Sequence, residues 1–403
     1  MKTFYIKTFG CRLNQYQSEK LREWLSACNL YPSETPEKAD LIIVNGCVVT
    51  HRGERDTRKY INKYAKQDKK VIATGCYINL PYVKESENVS FLTNDEIKQT
   101  FTPLHTPKAS QTKHRVLIAI QEGCNFRCTY CIVPYVRGKA RDRNQSEILN
   151  EIHKYVDSGA REIVITGTEI GGYGARQKTS LANLVRTIKE RHPDLMIRLS
   201  SILPLYVKED IISLFREKIV LPHVHLPLQS GSPRVLTEMK RPYKLERFLK
   251  AFSELYSAHP YMAIGTDIIV GYPTEQEEDF KMTYELLKEL PFAYAHIFLY
   301  SKRPHTEAAN LKELPYTLIK ERERILLELV EKKKAQFLQK FSGKILSAMA
   351  EKRKGNIIMG TTENYIKFEA QCADENIMPG KFIRIKIETP QKNKVFAKIE
   401  NLL

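Results

Sequence analysis

Short, continuous apolar runs recur along most of this 403-residue chain, with helical stretches between them. No other feature restricts the fold as much. Leu41 to Val44 (LIIV) and Val71 to Thr74 (VIAT) are apolar at nearly every position, as strands covered on both faces must be. Thr3 to Lys7 is a further strand. Between them, Leu21, Trp24, Leu25 and Cys28 fall on one helical face. The sequence places Asn14 at that helix's N-cap and Gln17 at the reciprocal capping position. A basic helix is predicted over 52–66. Strands alternating with helices imply a parallel sheet. A longer series of strands follows at 115–120, 162–167, 196–201, 223–228, 263–271 and 295–300. Helices at 146–158 and 181–191 separate some of them. Six such units point to a full or partial α/β barrel. A charged helix over 317–340 should bury Leu318, Ile325, Leu329 and Phe337.

The polar stretch FTPLHTPKASQTK at 101–113 reads as a linker. After Ser342 the pattern changes to five short β-rich stretches at 345–352, 356–360, 365–372, 382–388 and 395–402. Turns such as Met378-Pro379-Gly380 separate them. This spacing suggests a small β-barrel of the oligonucleotide-binding kind. The expected organisation is therefore an α/β domain over 1–105, a barrel-like α/β domain over 114–340 and a β-barrel over 343–403.

Composition narrows the function. Hydrophobic residues make up 42% of the chain, enough for a substantial core. No apolar run approaches the roughly 18 residues that read as a transmembrane helix. The N-terminus lacks the apolar core of a secretory signal, so a cytoplasmic protein without a membrane partner is expected. Eight cysteines in such a chain suggest metal or redox chemistry rather than disulfides. Lys and Arg total 64 against 47 Asp and Glu, and the formal charge of +17 favours a polyanionic partner such as nucleic acid.

Residues 122–131 read EGCNFRCTYC, so Cys124, Cys128 and Cys131 form C-x3-C-x2-C. A structural zinc site would need a fourth Cys or His at suitable spacing, and none is present. Three thiolates this close suit three irons of a 4Fe-4S cubane, leaving one iron open. The segment follows the first strand of the barrel-like domain, at the end where α/β barrels place active sites. Cys11, Cys47 and Cys76 each follow a glycine and each follow a strand. Ends of parallel strands lie on one sheet edge, so these thiols can converge on a second cubane. Buried structural thiols are the plainer alternative, and that is the expectation for Cys28 and Cys372.

CNFRCTYC resembles the signature of radical S-adenosylmethionine enzymes, in which the open iron binds S-adenosylmethionine and an electron releases a 5′-deoxyadenosyl radical. The resemblance implies that Tyr130 packs on the adenine, with ordinary core packing as the alternative. It also places Gly167, Thr168 and Glu169, after the second barrel strand, at the methionine end. Ser200 and Gln229, at later strand ends, would reach the ribose or carboxylate. For each, turn chemistry or a satisfied hydrogen bond is the alternative. His223 and His225 share one strand face and read as core histidines.

The three-part organisation resembles the methylthiotransferases over essentially the whole chain. Supporting blocks are VPYVRGKARDR at 133–143, LSSILP at 199–204, HVHLPLQSGSPRVLTEMKRPY at 223–243 and TDIIVGYPTEQEEDF at 266–280. The stretch YSKRPHTEAA at 300–309 continues them, and the C-terminal module looks like an RNA-binding TRAM domain. The family uses two 4Fe-4S clusters and two S-adenosylmethionine molecules per product, one for methyl transfer and one for the radical. It also needs an electron donor and a sulfur source, which the sequence does not name. Its branches act on N6-threonylcarbamoyladenosine in tRNA, on N6-isopentenyladenosine in tRNA, or on a ribosomal-protein aspartate. Gly10-Cys11-Arg12-Leu13-Asn14-Gln15-Tyr16 and NGCVVTHRGERDTRKYI at 45–61 are similar to the threonylcarbamoyl branch, which implies adenosine 37 of the tRNA anticodon loop as target. A non-catalytic iron–sulfur RNA-binding protein is the competing class. Gly46, Leu203 and Thr274 depart from residues common in the family (threonine, glutamate and glycine). Arg52, Arg55, Arg58 and Lys59 follow Cys47, and Arg137, Lys139, Arg141 and Arg143 follow Cys131. Both sets are read as candidate tRNA-phosphate contacts, with a solvated charged face as the alternative.

Overall fold

In a computed structural model, which describes residues 2–108, 114–177, 179–390 and 395–402, the N-terminal alternation folds as a five-stranded parallel sheet. Its elements are β1 (Thr3–Thr8), α1 (Arg12–Ala27), β2 (Tyr31–Pro32), β3 (Leu41–Gly46), α2 (His51–Ala65), β4 (Lys70–Gly75), β5 (Val89–Phe91) and α3 (Asn94–Thr100). The strand order is β2-β1-β3-β4-β5, all parallel. Ile42, Ile43 and Val44 are fully buried because helices cover both faces. β2 and β5 are too short to show an apolar run, and both escaped the sequence analysis. So did α3, although its capping box (Thr93 with Glu96) was readable. The start of α1 corrects an expectation. The helix begins at Arg12 with Cys11 as N-cap, so Asn14 lies inside it. The buried Asn14 amide donates instead to the carbonyls of Phe9 (2.8 Å) and Gly46 (3.1 Å), tying the ends of β1 and β3 together. Gln17 reaches Glu122 at 3.2 Å.

The second series comprises β6 (Arg115–Glu122), α4 (Val133–Val136), β7 (Arg141–Asp142), α5 (Gln145–Asp157), β8 (Glu162–Gly167), α6 (Leu181–Arg191), β9 (Met196–Leu199), α7 (Glu209–Arg216) and β10 (His223–His225). It continues through α8 (Pro233–Glu238), α9 (Leu245–Ala258), β11 (Ala263–Val270), α10 (Glu277–Glu289), β12 (Tyr294–Leu299) and α11 (Tyr316–Gln339). Strands β6-β8-β9 and β10-β11-β12 are parallel and are joined by a bridge between Ser201 and His225. β7 pairs antiparallel with the end of β6. Among the described residues β12 does not pair with β6, so the barrel is partial. Strand alternation divides its residues cleanly. Val116, Ile118, Ile163, Ile165, Ile197, Val224, Ile264 and Ile268 pack against the helices in the main core. The opposite, concave face carries a polar row that includes Arg115, Glu162, Arg198, His225 and Asp267. The buried side of α11 is also corrected. Ile319, Arg322, Leu326, Leu329, Phe337 and Leu338 are buried, while Leu318 and Ile325 are only half-buried. The stripe turns because Arg322 is drawn in by Glu275, 2.6 Å away, and apolar counting cannot see that.

The C-terminal segment closes as a five-stranded barrel in the order β13-β14-β15-β17-β16, where β13 is Ile345–Lys354, β14 Ile357–Thr362, β15 Lys367–Gln371, β16 Phe382–Ile387 and β17 Phe396–Leu402. All five predicted strands are present. Of the linker expected at 101–113, residues 109–113 lie outside the described residues. No described helix is long and apolar enough to cross a membrane.

Candidate metal centres

β1, β3 and β4 are neighbours in the first sheet, so the residues after them meet at one edge. Cys11 is exposed, Cys47 half-buried and Cys76 buried. The glycines make this approach possible. Gly10 has φ +96°, and a Cβ there would lie 2.7 Å from Cys47 Cβ and 2.8 Å from its Sγ. Gly46 leaves no room for a threonine, since a Cβ there would lie 2.5 Å from Tyr77 Cβ and 2.7 Å from Thr57 Cγ2. Burial raises the Cys76 thiol to about 11, and the Arg137 guanidinium acts against that rise. Burial and the nearby Cys11 also raise Cys47, with Arg137 again opposing. Arg137 is thus the cation of this cysteine set.

The second set lies on the loop after β6. Cys131 N donates to Cys128 O (2.9 Å) and Cys124 N to Gly138 O (3.1 Å), folding the loop into a tight cup. Gly123, at φ +80°, admits the backbone of Lys139, whose carbonyl a Cβ would meet at 2.2 Å. Burial raises Cys124 to about 12, and Glu169 raises it further against the lowering backbone bond from Phe126. Burial and Cys128 raise Cys131 to about 11. Arg241 donates to Cys128 Sγ (3.4 Å) and to Tyr130 Oη (2.9 Å). A soft, sulfur-only donor set beside a half-buried cation fits an anionic iron–sulfur cluster. The two sets adjoin. Arg137 touches Cys76 and donates to Glu122 (2.5 Å), two residues before Cys124.

The radical SAM superfamily profile matches residues 118–287, and an uncharacterized protein family, UPF0004, matches residues 3–91. The chain is 34% identical to Threonylcarbamoyladenosine tRNA methylthiotransferase MtaB of Aquifex aeolicus, over 95% of this chain and 99% of that protein. It is 33% identical to tRNA-2-methylthio-N(6)-dimethylallyladenosine synthase of Thermobifida fusca, over 88% of this chain and 80% of that one. The chain belongs to the radical S-adenosylmethionine methylthiotransferase family. It is therefore an enzyme of a tRNA-modifying family that uses a 4Fe-4S cluster and S-adenosylmethionine. Among solved structures it is similar to the methyltransferase TsrM of Kitasatospora setae, with TM-score 0.55 and 13% identity over 76% of this chain and 75% of that one. At that identity the likeness concerns the fold.

The remaining candidate residues of the methylthiotransferase divide into groups. Tyr130 packs against the small apolar cluster that includes Val235, Met239 and Tyr272, while Arg241 donates to its hydroxyl. Gln121 Oε1 accepts from the backbone N–H of Thr168 (3.1 Å) and Glu169 (2.8 Å), and a Cβ on Gly167 would meet Gln121 O at 2.6 Å. The Glu169 carboxylate accepts from Asn125 N (3.3 Å) and from Tyr206. Ser200 Oγ is buried with no hydrogen-bond partner among the described residues. Gln229 has φ +77° and bonds through its backbone to Asp267 and Ile269. Leu203 packs against the main core, and Thr274 donates to Glu238.

The basic residues require a correction. The Arg137 side chain is 6% exposed and bound to Glu122 and Asn14, so it is unavailable to a phosphate. Arg143 is spent on Tyr16 (2.8 Å), Ala119 O (2.7 Å) and Glu151 (2.7 Å). Lys139 and Arg141 are exposed, as are Arg52, Arg55, Arg58 and Lys59 on α2, although Arg58 also pairs with Glu54. Sequence reasoning missed Gln121 and Arg241. The second stood in the quoted KRPY block, but no spacing rule marks a half-buried arginine as the partner of a cysteine sulfur.

Proposed function

We propose that this enzyme converts N6-threonylcarbamoyladenosine at position 37 of tRNA to its 2-methylthio derivative, using two 4Fe-4S clusters. The observation that carries this reading is the juxtaposition of two cysteine triplets across the Arg137–Glu122 pair. The threonylcarbamoyl branch is supported by the motif at 10–16 and by the end-to-end match to MtaB of Aquifex aeolicus. Cys124, Cys128 and Cys131 would hold one cluster, and Cys11, Cys47 and Cys76 the other. When bound, these groups and S-adenosylmethionine supply the electron, the radical and the methyl group. Glu169, anchored through Gln121 and Tyr206, would take the amino group of S-adenosylmethionine. Ser200 would offer its hydroxyl to a polar edge of that molecule. Tyr130, Gly167, Thr168 and Gln229 would shape the rest of its pocket. Arg52, Arg55, Arg58, Lys59, Lys139 and Arg141 would contact phosphates of the anticodon stem-loop. Three units, at 1–105, 114–340 and 343–403, would divide this work, the last as a TRAM-like RNA grip. An external electron donor and sulfur source complete the reaction, which we place in the cytoplasm.

The test is nucleoside mass spectrometry of tRNA from a strain lacking the gene. Loss of the methylthio-threonylcarbamoyl nucleoside, restored on complementation, is expected. Loss of the methylthio-isopentenyl nucleoside instead, or of neither, would overturn the assignment. The second cluster has its own check. Gly10→Ala puts a methyl group against Cys47 and forces a φ that L-residues resist. Anaerobic iron analysis should then fall from about eight to about four irons per chain.

A further inference from the structure

The concave face of the central sheet carries a polar cluster that neither cysteine set uses. His225 on β10, Asp267 on β11 and His296 on β12 point to this face, because their neighbours Val224, Ile268 and Ile297 pack on the helix side. His225 Nε2 lies 3.0 Å from Asp267 Oδ2, and His296 Nδ1 lies 3.2 Å from Oδ1. Burial acts to raise the Asp267 carboxyl, but the hydrogen bonds from both imidazoles outweigh it and hold the group well below the usual carboxylate range. The far side of the His225 ring is fixed by Tyr294 Oη, 3.4 Å from Nδ1. Each carboxylate oxygen thus has an imidazole partner, and the His296 ring edge is the most exposed part of the cluster. The His296 side chain is 58% exposed, with the half-exposed ring of Phe298 packed edge-on beside it.

This cluster sits at a defined level. Below it the concave face is closed, since Tyr365 from the C-terminal barrel stacks on His223 at 4.2 Å and under Arg198. Above it, Tyr243 donates to Pro227 O (2.6 Å) and accepts from Arg241, the residue that holds Cys128. Arg12, next to Cys11, reaches Tyr365 Oη at 3.0 Å from the other side. A neighbour of each cysteine set, Arg241 for one and Arg12 for the other, thus reaches the border of this face. One strand away, Ser200 adds a buried hydroxyl with no hydrogen-bond partner among the described residues.

We infer that His225, Asp267 and His296 read the N6 substituent of the target adenine and select a polar, carboxylate-bearing group over an apolar prenyl group. This rests on the tRNA-adenine reading given above. A prenyl group laid on this floor would strip water from imidazole edges and return no hydrogen bond. A carbamoyl amino acid offers a carboxylate and a hydroxyl to the same edges. Sites built around such groups discriminate steeply, because the wrong ligand leaves them unpaired. His296 is the positioning residue most open to the ligand, and its Nε2 takes no part in the pair with Asp267.

The test uses the full-length, anaerobically reconstituted enzyme and one tRNA carrying either a threonylcarbamoyl or a prenyl group on the target adenine. Wild type, His296→Leu and His296→Asn are compared by kcat/KM, with iron content confirming folded enzyme. His296→Leu should reduce the preference for the threonylcarbamoyl tRNA about 10–100-fold, the range for a hydrogen bond to a charged group. His296→Asn, which keeps a polar edge, should restore part of it. An unchanged preference in His296→Leu, with wild type active on the threonylcarbamoyl tRNA, overturns this inference alone. Wild type active only on the prenyl tRNA overturns the functional reading itself. The three groups also lie close enough together to hold a metal ion. One equivalent of a divalent metal other than iron, lost in His296→Leu, would overturn the hydrogen-bonding role.

Discussion

Cys128→Ala should abolish 5′-deoxyadenosine formation and lower the iron content by about four per chain, the amount in one cubane. Cys128 is buried, and the Arg241 guanidinium lies 3.4 Å from its sulfur, a cation placed beside an anionic cluster. With one donor of three removed, Cys124 and Cys131 cannot grip a cluster that already has one iron without a cysteine. The loop itself should survive, because its shape depends on backbone bonds elsewhere. Thr129 N donates to Met239 O at 3.1 Å and Cys124 N to Gly138 O at 3.1 Å. The variant should therefore keep its circular dichroism and thermal melt near those of the metal-free enzyme. Cys372→Ala is the control, since that thiol is buried in the C-terminal barrel away from both triplets. Retained iron together with retained radical formation in Cys128→Ala would refute the assignment of the loop.

Much of this arrangement was legible from residue order alone, for physical reasons. A strand covered on both faces must be apolar nearly throughout, so LIIV and VIAT announced themselves. A parallel sheet puts all its strand ends on one side, so three Gly-Cys pairs far apart in sequence could be brought together on paper. What stayed hidden depends on partners that no local pattern encodes. Asn14 looked like a cap, but its amide is needed between two strand ends, and the helix starts before it. Arg137 and Arg143 looked like phosphate ligands, because a sequence does not distinguish an arginine facing solvent from one facing a thiol or a glutamate. His223 and His225 looked alike as core histidines. One is fully buried beneath Tyr365, while the other belongs to a network built from three strands. The polar concave face was missed for the same reason, since it appears only when alternation is read across six strands at once.

Arg198→Ala should destabilise the enzyme by about 3–5 kcal/mol, the cost of breaking a buried ion pair from one side. Arg198 and Glu162 are both almost completely buried, with Nε 2.8 Å from the carboxylate. Arg115 binds the same carboxylate at 2.8 Å and reaches Glu351 at 2.5 Å. Arg198 also donates to the carbonyls of Glu363 (3.0 Å) and Thr362 (3.3 Å). These bonds fasten the C-terminal barrel to the base of the central sheet. Losing Arg198 leaves a buried carboxylate with half its partners and two carbonyls without the guanidinium, so protease cleavage between 340 and 345 should quicken as the barrel loosens. Burial would raise the Glu162 carboxyl, but Arg198 and Arg115 more than offset it and hold it below its ordinary value. A carboxylate held low stabilises the fold above its unfolded pKa of about 4.3 and loses that contribution as pH falls through the lower folded value. The wild-type melting temperature should accordingly fall on acidification below about pH 4.3, and less steeply in Arg198→Ala. Replacing both partners, as Glu162→Leu with Arg198→Met, should recover only part of the lost stability, because Arg115 then keeps Glu351 but loses Glu162, and the carbonyls of Glu363 and Thr362 stay without the guanidinium. A loss under about 1 kcal/mol in Arg198→Ala would mean that water reaches Glu162 and that the barrel is fastened elsewhere.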